Sequence, residues 1–108
     1  MKYLLLICNE GSFDATPEEL DATPWVEEME GRGVRLTGSR IHDAADATTV
    51  RVKDGSPLIT DGPFAETKEQ ICGFDIIDCA DLDEAIEIAS KHPVARYGMV
   101  EVRPFWTE

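Results

Sequence analysis

The sequence predicts a single α+β domain in which one antiparallel sheet carries two helices on the same face. The first observation behind this prediction is the order of the elements, which runs strand, helix, strand, hairpin, strand, helix, strand. The second is that the strands alternate apolar and polar residues, whereas the helices repeat apolar residues at helical spacing. The order matches a split βαββαβ arrangement with a hairpin inserted at its centre. A chain of 108 residues is long enough for one such domain.

The first part of the chain predicts a buried strand, an interrupted helix and a half-buried strand. Residues 3–8 form an apolar run that is too short for a helix. Thr16 and Glu19 fit a capping box, so a helix is expected to begin there. Pro24 should bend or restart it, because an interior Pro removes a hydrogen bond. Residues 34–38 alternate and predict the second strand. The apolar face of the helix is predicted to hold Ala22, Trp25, Val26 and Met29.

The middle of the chain predicts a hairpin followed by a core strand. Residues 48–53 alternate cleanly, and Asp54 with Gly55 is a strong hairpin signal that returns the chain through residues 57–60. Residues 71–79 predict the next strand. Its alternation places Cys72, Phe74 and Ile76 on one face and Gly73, Asp75 and Ile77 on the other.

The clearest helix signal follows this strand. Asp81, with Glu84 three residues later, is a typical N-terminal cap, and Pro93 ends the helix. His92, near the C-terminal end, is expected to interact with the helix dipole. Residues 99–103 predict the last strand. The helix face that packs on the sheet is predicted to hold Leu82, Ala85, Ile86 and Ala89.

Composition and charge exclude several classes of protein. The formal net charge of −12 argues against binding to nucleic acid, which requires clustered basic residues. No apolar run approaches the roughly 20 residues of a membrane helix, and the N-terminus does not read as a signal peptide. We therefore expect a cytoplasmic protein with no membrane partner. The 3 cysteines form no CxxC pair and the 2 histidines lack neighbouring ligands, so neither a disulfide framework nor a metal site is predicted.

Residues 60–70 hold the densest group of chemically capable side chains. The chain must turn at residues 61–63, because Gly adopts unusual backbone angles and Pro lacks an N–H. Three charged residues follow at once, namely Glu66, Lys68 and Glu69. This stretch resembles the signature of the YCII-related family, often called the DGPF family. Similarity to that family extends over nearly the whole chain, through residues 1–7, 48–52, 81–85 and 100–104.

The resemblance implies a ferredoxin-like α+β fold whose protomers pair face to face in a dimeric α/β-barrel-like assembly. The predicted architecture favours the same association, because two helices cover one sheet face and leave the other bare. A homodimer is therefore predicted, with a small molecule as the other expected partner. The bare face is expected to carry apolar residues such as Leu4, Leu6, Val50 and Phe74.

The candidate site is expected in a cleft at the rim of this sheet. Asp61 and His42 are the predicted catalytic residues, because a carboxylate and an imidazole suffice for proton transfer. Each has a structural alternative, since Asp61 can cap its own turn and His42 can be an exposed loop residue. Arg51 can likewise pair across the strands. The predicted substrate-binding residues are Arg40, Arg51, Phe64 and Lys68.

Two functions remain open at this point. The resemblance implies a small dimeric enzyme of the lyase or isomerase kind that acts on a small organic acid by proton transfer, without a cofactor. The alternative is a non-catalytic module that binds a ligand or a protein, since related domains are also fused to sigma-type transcription factors. The negative surface slightly favours a protein-binding role, whereas the dense signature loop favours a site.

Overall fold

The computed structural model describes residues 1–63 and 70–107 and shows, within them, an α+β domain with a four-stranded sheet and a separate hairpin. The elements are β1 (Lys2–Asn9), α1 (Thr23–Gly31), β2 (Arg35–Arg40), a 3₁₀ turn (Ala44–Asp46), β3 (Thr48–Lys53), β4 (Ser56–Asp61), β5 (Gln70–Asp78), α2 (Leu82–Ser90), α3 (Val94–Tyr97) and β6 (Met99–Pro104). The antiparallel sheet order β2-β5-β1-β6 is compatible with the predicted ferredoxin-like fold. In this described part of the chain, no helix is long and apolar enough to span a membrane.

The core lies between the helices and one face of the four-stranded sheet, called the covered face below. Trp25 and Met29 of α1 are buried, as the predicted apolar face of that helix requires. Trp25 Nε1 donates to the carbonyl of Ile88 at 2.9 Å, which ties α1 to α2. The buried cluster consists of Tyr3, Leu5, Ile7, Trp25, Met29, Ile77, Cys79, Ala85, Ile88, Ala89 and Val94.

The opposite face of this sheet, called the open face below, is only partly buried. Along β1 and β5, buried residues alternate with half-buried ones, as expected when one face is covered. Gly73, Asp75 and Ile77 are all buried, so their predicted common face is confirmed. The half-buried residues of the open face include Leu4, Leu6, Phe74 and Ile76.

A β-bulge changes the predicted orientation of Cys72. Ile7 pairs with Gly73 and Cys8 pairs with Ile71, so Cys72 is the extra residue on its strand. A bulge breaks the strict alternation of a strand, because two residues then oppose one. Cys72 packs against the core of the covered face. The prediction that it shares a face with Phe74 and Ile76 is wrong.

The helix expected to begin at Thr16 begins later. Thr16 and Glu19 do form the predicted capping box, with Glu19 N–H donating to Thr16 Oγ1 at 3.2 Å and Thr16 N–H to Glu19 Oε1 at 3.0 Å. These bonds close only a turn, and α1 starts at Thr23 with Pro24 in its first turn. An unbroken helix would place Pro24 in its interior, where the ring clashes with the preceding turn. The prediction that a helix begins at Thr16 is therefore wrong, whereas a helix start beside Pro24, the alternative to an interior Pro, is observed.

The predicted packing face of α2 is wrong for two of its four residues. Asp81 caps the helix as predicted, accepting Glu84 N–H at 2.9 Å. Leu82 and Ile86, however, are 50% and 52% exposed. The residues that α2 buries are Ala85, Ile88 and Ala89. Both stripes fit a helical period, so spacing alone does not decide between them.

The β3–β4 hairpin forms as predicted, but its surroundings differ from the expectation. Asp54 and Gly55 have φ angles of 52° and 78°, the left-handed turn that an Asp-Gly pair favours. The two strands make their own sheet and do not join the four-stranded one. Val50 is 61% exposed on this hairpin. The expectation that Val50 belongs to the bare face of the main sheet is therefore wrong.

Candidate functional site

A cavity of about 710 Å³ lies on the helix side of the sheet. The loop between β1 and α1 forms one wall through Phe13 and Leu20, and the ends of β2 and β5 form another. Ligand sites in proteins are typically concave, largely apolar and of this size, with a few polar groups that orient the ligand. The polar side chains that line the cavity include Arg35, Arg40, Asp43, Asp75 and His92.

An ion pair between Arg35 and Asp75 forms part of the cavity wall. Arg35 Nε donates to Asp75 Oδ1 at 2.8 Å, and the two side chains are only 13% and 7% exposed. Arg35 also donates to Glu30 Oε1 at 2.9 Å. Burial raises the pKa of the Asp75 carboxyl by more than the neighbouring guanidinium lowers it. A carboxyl of this kind holds its proton more readily than an ordinary aspartate.

A bulge in β2 aims both arginines at the covered face. Arg35 pairs with Ile77 but Thr37 pairs with Ile76, so one extra residue lies between them. After this shift Gly38 lies opposite Asp75 and Arg40 opposite Gly73. Without the bulge, residues five apart would point to opposite faces of the sheet. The bulge thus brings Arg35 and Arg40 to the side where the cavity lies.

Gly38 leaves the space that the ion pair occupies. A Cβ at this position would overlap Asp75 Oδ1 and lie only 2.6 Å from the carbonyl of Phe74 and 2.7 Å from Arg35 Nη2. The backbone of Gly38 needs no unusual angle, so the requirement is for space alone. The Arg35–Asp75 pair and the Phe74 carbonyl together therefore restrict residue 38 to glycine.

His92 is a buried residue of the cavity wall, which contradicts its predicted role as a dipole partner. Its side chain is 5% exposed, and its ring meets Trp25 edge-on with centroids 4.8 Å apart. Nδ1 accepts the N–H of Val94 at 3.1 Å, so the neutral ring carries its proton on Nε2. Burial lowers the pKa of His92 to about 4. An uncharged ring cannot pair with the helix dipole, and that prediction is wrong.

Of the described residues predicted for the site, Arg40 lines the cavity. Asp61 is exposed at the end of β4, opposite Thr48, and Arg51 is exposed on β3, opposite Leu58. Among the residues the structure describes, the cavity wall includes neither Asp61 nor Arg51. Phe64 and Lys68 lie outside the described residues, so their predicted role in binding stays a prediction.

His42 lies on the loop that edges the cavity. Its side chain is 90% exposed, and Nδ1 lies 3.3 Å from Asp46 Oδ2. The residues on either side of it, Ile41 and Asp43, do line the cavity. His42 lies in the loop after β2 and Asp61 at the end of the hairpin, and their predicted role as an acid/base pair stays a prediction.

The cysteines do not supply an activated nucleophile to this cavity. Among the described residues, Cys8, Cys72 and Cys79 form no disulfide. Cys72 lines the cavity, and burial raises the pKa of its thiol, which disfavours the reactive thiolate. Within the described ranges, no three His, Cys, Asp or Glu side chains are grouped closely enough to hold a metal ion.

Reasoning from the sequence missed Arg35, Gly38, Asp75 and His92 as site residues. One signal was present, because the alternation of β5 places Asp75 on the same face as the core residue Ile77. A carboxylate on a core face needs a partner, since an isolated buried charge is costly. A search for that partner among basic residues on neighbouring strands would have found Arg35.

Taken together, these features define a small α+β domain with a ligand-sized cavity on the helix side of its sheet, lined in part by charged side chains. The chain belongs to the YCII-related domain family, whose sequence profile matches residues 1–107. It is also similar to the uncharacterized protein R00369 of Rhizobium meliloti (strain 1021), with 47% identity over 68 residues. That similarity covers 61% of this chain and 55% of the relative, so the chain matches about half of the relative's length.

Proposed function

We propose that the protein binds a small organic acid in this cavity and acts on it by cofactor-free proton transfer, as a lyase or an isomerase does. The proposal rests on one observation: Arg35, Arg40 and the buried carboxyl of Asp75 all line the same cavity. Apolar wall residues such as Phe13 and Val26 would hold the hydrocarbon part of the ligand.

In this proposal Arg40 binds the carboxylate of the ligand. Its guanidinium is exposed at the cavity wall, whereas that of Arg35 is already held by Asp75 and Glu30. A guanidinium can bind a carboxylate through two parallel hydrogen bonds, which fixes the orientation of the ligand as well as its position. Arg35 instead orients the carboxyl of Asp75 through the ion pair between them.

Asp75 is the proposed acid/base residue. It abstracts a proton from the carbon next to the ligand carboxylate, so the C–H bond breaks and its electron pair stays with the substrate. A raised pKa suits this role, because it makes the Asp75 carboxylate a stronger base than an ordinary aspartate. Return of the proton to another position gives isomerisation, and loss of a leaving group gives elimination.

A separate proposal keeps Asp61 and His42 as the acid/base pair, with Arg51, Phe64 and Lys68 as binding residues.

Replacing one arginine from each proposed site, Arg40 or Arg51, distinguishes the two proposals. We expect small aliphatic and aromatic carboxylates to raise the melting temperature of the wild type, and Arg40→Gln to weaken their binding about tenfold or more. Arg51→Gln, also an exposed strand arginine, is the control and should bind like the wild type. The opposite pattern would place the ligand at the hairpin and reject the cavity.

Ligand binding without catalysis is the second candidate function, in a regulatory role like that of the sigma-factor-associated domains. It is favoured by the engagement of Asp75 Oδ1 with Arg35 at 2.8 Å, an arrangement that also suits a purely structural carboxyl. Incubation of a bound carboxylate in D₂O distinguishes the two functions. Catalysis predicts deuterium at the carbon next to the carboxylate by NMR in the wild type and none with Asp75→Asn. Recovery of the ligand without deuterium from both proteins would support the binding module.

We further propose that the protein is a homodimer in the cytoplasm. The half-buried apolar residues of the open face support association, because a monomer rarely leaves such a continuous face uncovered. The absence of a disulfide among the three described cysteines is typical of a reducing compartment. Sedimentation should give about twice the chain mass of 12.0 kDa at micromolar concentration.

A further inference from the structure

The β3–β4 hairpin presents an apolar face to solvent. Val50 lies opposite Ile59 and Val52 opposite Pro57, so these four residues share one side, called the hairpin apolar face below. Val50, Ile59 and Val52 are 61%, 63% and 72% exposed. The buried core contains no described residue of β3 or β4. A two-stranded hairpin without a packed face is at best marginally stable in water. This face therefore needs a covering surface.

The chain as a whole exposes more surface than a monomer of its size. Its accessible surface is 7713 Å², whereas a folded monomer of 12.0 kDa exposes about 6,000 Å². The excess of roughly 1,700 Å² is larger than the roughly 800 Å² that each partner buries in a standard interface. The molecule is also flat, at 19 Å in its shortest dimension, with a radius of gyration of 15.8 Å against about 13 Å expected for a compact domain.

We propose that the hairpin apolar face packs on a second copy of this chain, so that the hairpin is a dimerisation arm. This inference rests on the homodimer proposed above and assigns a part of its interface. The same molecule supplies two uncovered apolar surfaces, the hairpin apolar face and the open face of the main sheet. An association of two identical chains supplies an apolar surface to cover an apolar surface, and an isologous interface uses each patch twice.

Charge also favours a second copy as the occupant. Two basic residues of the hairpin, Arg51 and Lys53, balance two acidic ones, Asp54 and Asp61, whereas the whole chain has a net charge of −12. Two strongly acidic copies repel each other at most surfaces. The balanced hairpin is thus a segment through which a second acidic chain can approach with little repulsion.

The first test replaces the apolar face without changing strand propensity. The variant Val50→Thr, Val52→Thr, Ile59→Thr keeps β-branched residues and removes apolar contact. We expect its dimer dissociation constant, measured by sedimentation equilibrium, to rise by at least about tenfold. The matched control is Leu82→Gln, Ile86→Gln, which removes two apolar residues of similar exposure from α2, on the covered side of the sheet. The control should dimerise like the wild type.

Hydrogen exchange of the wild type provides a second measurement that needs no variant. If the hairpin is a dimerisation arm, its amides should be protected at concentrations where the chain is dimeric and should exchange faster on dilution to monomer. Hairpin protection that does not depend on concentration, or unchanged dimerisation of the triple variant, would overturn the arm while leaving the homodimer intact. A wild type that stays monomeric throughout would overturn both the arm and the homodimer.

Discussion

The covered face of the main sheet and the β3–β4 hairpin are built from the same sequence pattern but have opposite surroundings. Both consist of strands in which apolar residues recur at every second position. On the covered face the helices pack against these residues, so that Leu5 and Ile77 have no exposed surface. On the hairpin, Val50 and Val52 remain mostly exposed. Alternation therefore tells which residues share a face, and the covering element decides whether that face is a core.

This difference assigns different tasks to the two regions. The covered face has enough packing to tolerate an ion pair and a cavity at one end, where Arg35 holds Asp75. In the described part of the chain, no residue of the hairpin belongs to the buried core, and a hairpin with no packed face is at best marginally stable in water. Chemistry is thus expected at the covered face and association at the hairpin.

The largest expected effect contrasts two isoleucines of α2. Ile88 is fully buried and Ile86 is 52% exposed. Ile88→Ala should lower the free energy of unfolding by about 2–5 kcal/mol, because it leaves a cavity in the core. Ile86→Ala should change it by at most about 0.5 kcal/mol. If urea denaturation gave equal losses of unfolding free energy for the two variants, the assignment of Ile88 rather than Ile86 to the packed face of α2 would be wrong.

The next effect concerns the pH dependence that the buried His92 gives to folding. Its pKa is about 4 in the folded chain, against the ordinary value of 6.5. Between these values the unfolded chain binds a proton that the folded chain does not, so the free energy of unfolding falls as the pH falls. The loss should total about 3 kcal/mol near pH 4. Above pH 6.5 the ring is neutral in both states and contributes no pH dependence.

His92→Asn is the control for this pH effect, because its side-chain oxygen can accept the Val94 N–H that Nδ1 accepts now. The variant will lose packing at every pH. Its stability should nevertheless fall less steeply than that of the wild type between pH 6.5 and 4. Parallel curves would mean that His92 is protonated in the folded chain, contrary to its burial.

A smaller effect is expected from Gly38→Ala. The added methyl group would overlap Asp75 Oδ1, so the Arg35–Asp75 pair must move, at a cost of about 1–3 kcal/mol. Gly31→Ala is the matched control, because a Cβ there meets nothing within 4 Å. This control should be neutral or slightly stabilising. A neutral Gly38→Ala in the same denaturation experiment would indicate that the ion pair is looser than the structure shows.

The smallest expected effect lies on the hairpin. Val52→Thr alone should change the stability of the monomer by no more than about 0.5 kcal/mol, because the side chain is 72% exposed. The measurement is thermal unfolding at a concentration where the chain is monomeric. A loss comparable to that of Ile88→Ala would show that the hairpin already has a packed face, and the contrast between the two regions would disappear.

Most of the fold could be predicted from the sequence because it depends on local signals. Alternation defined the strands, Asp54-Gly55 defined the hairpin turn, and the Asp81 cap defined the start of α2. The errors arose where two local patterns were equally good. Both stripes of α2 fit a helical period, and only tertiary packing, which places Ile88 in the same buried cluster as Trp25, decides which stripe is buried.

The cavity was harder to predict because bulges and distant pairings create it. The extra residue in β2 brings Arg35 and Arg40 to one face, and the register of β5 places Asp75 beside Gly38. Neither shift leaves a local mark in the sequence, since a bulge is a property of paired strands. Arg40 was predicted as a binding residue, but from its neighbours in the loop, without knowledge of the partners across the sheet.

The measurement that tests the central claim most directly is NMR mapping of a small aromatic carboxylate, such as benzoate, on the ¹⁵N-labelled wild type. The cavity proposal predicts shifts of the amide signals of Arg40, Cys72, Asp75 and Val94, with little change at Thr48 and Asp61. Formate, which lacks the apolar part, is the control and should bind more weakly. Shifts concentrated around Thr48 and Asp61, with an undisturbed Asp75, would contradict the assignment of the cavity as the site.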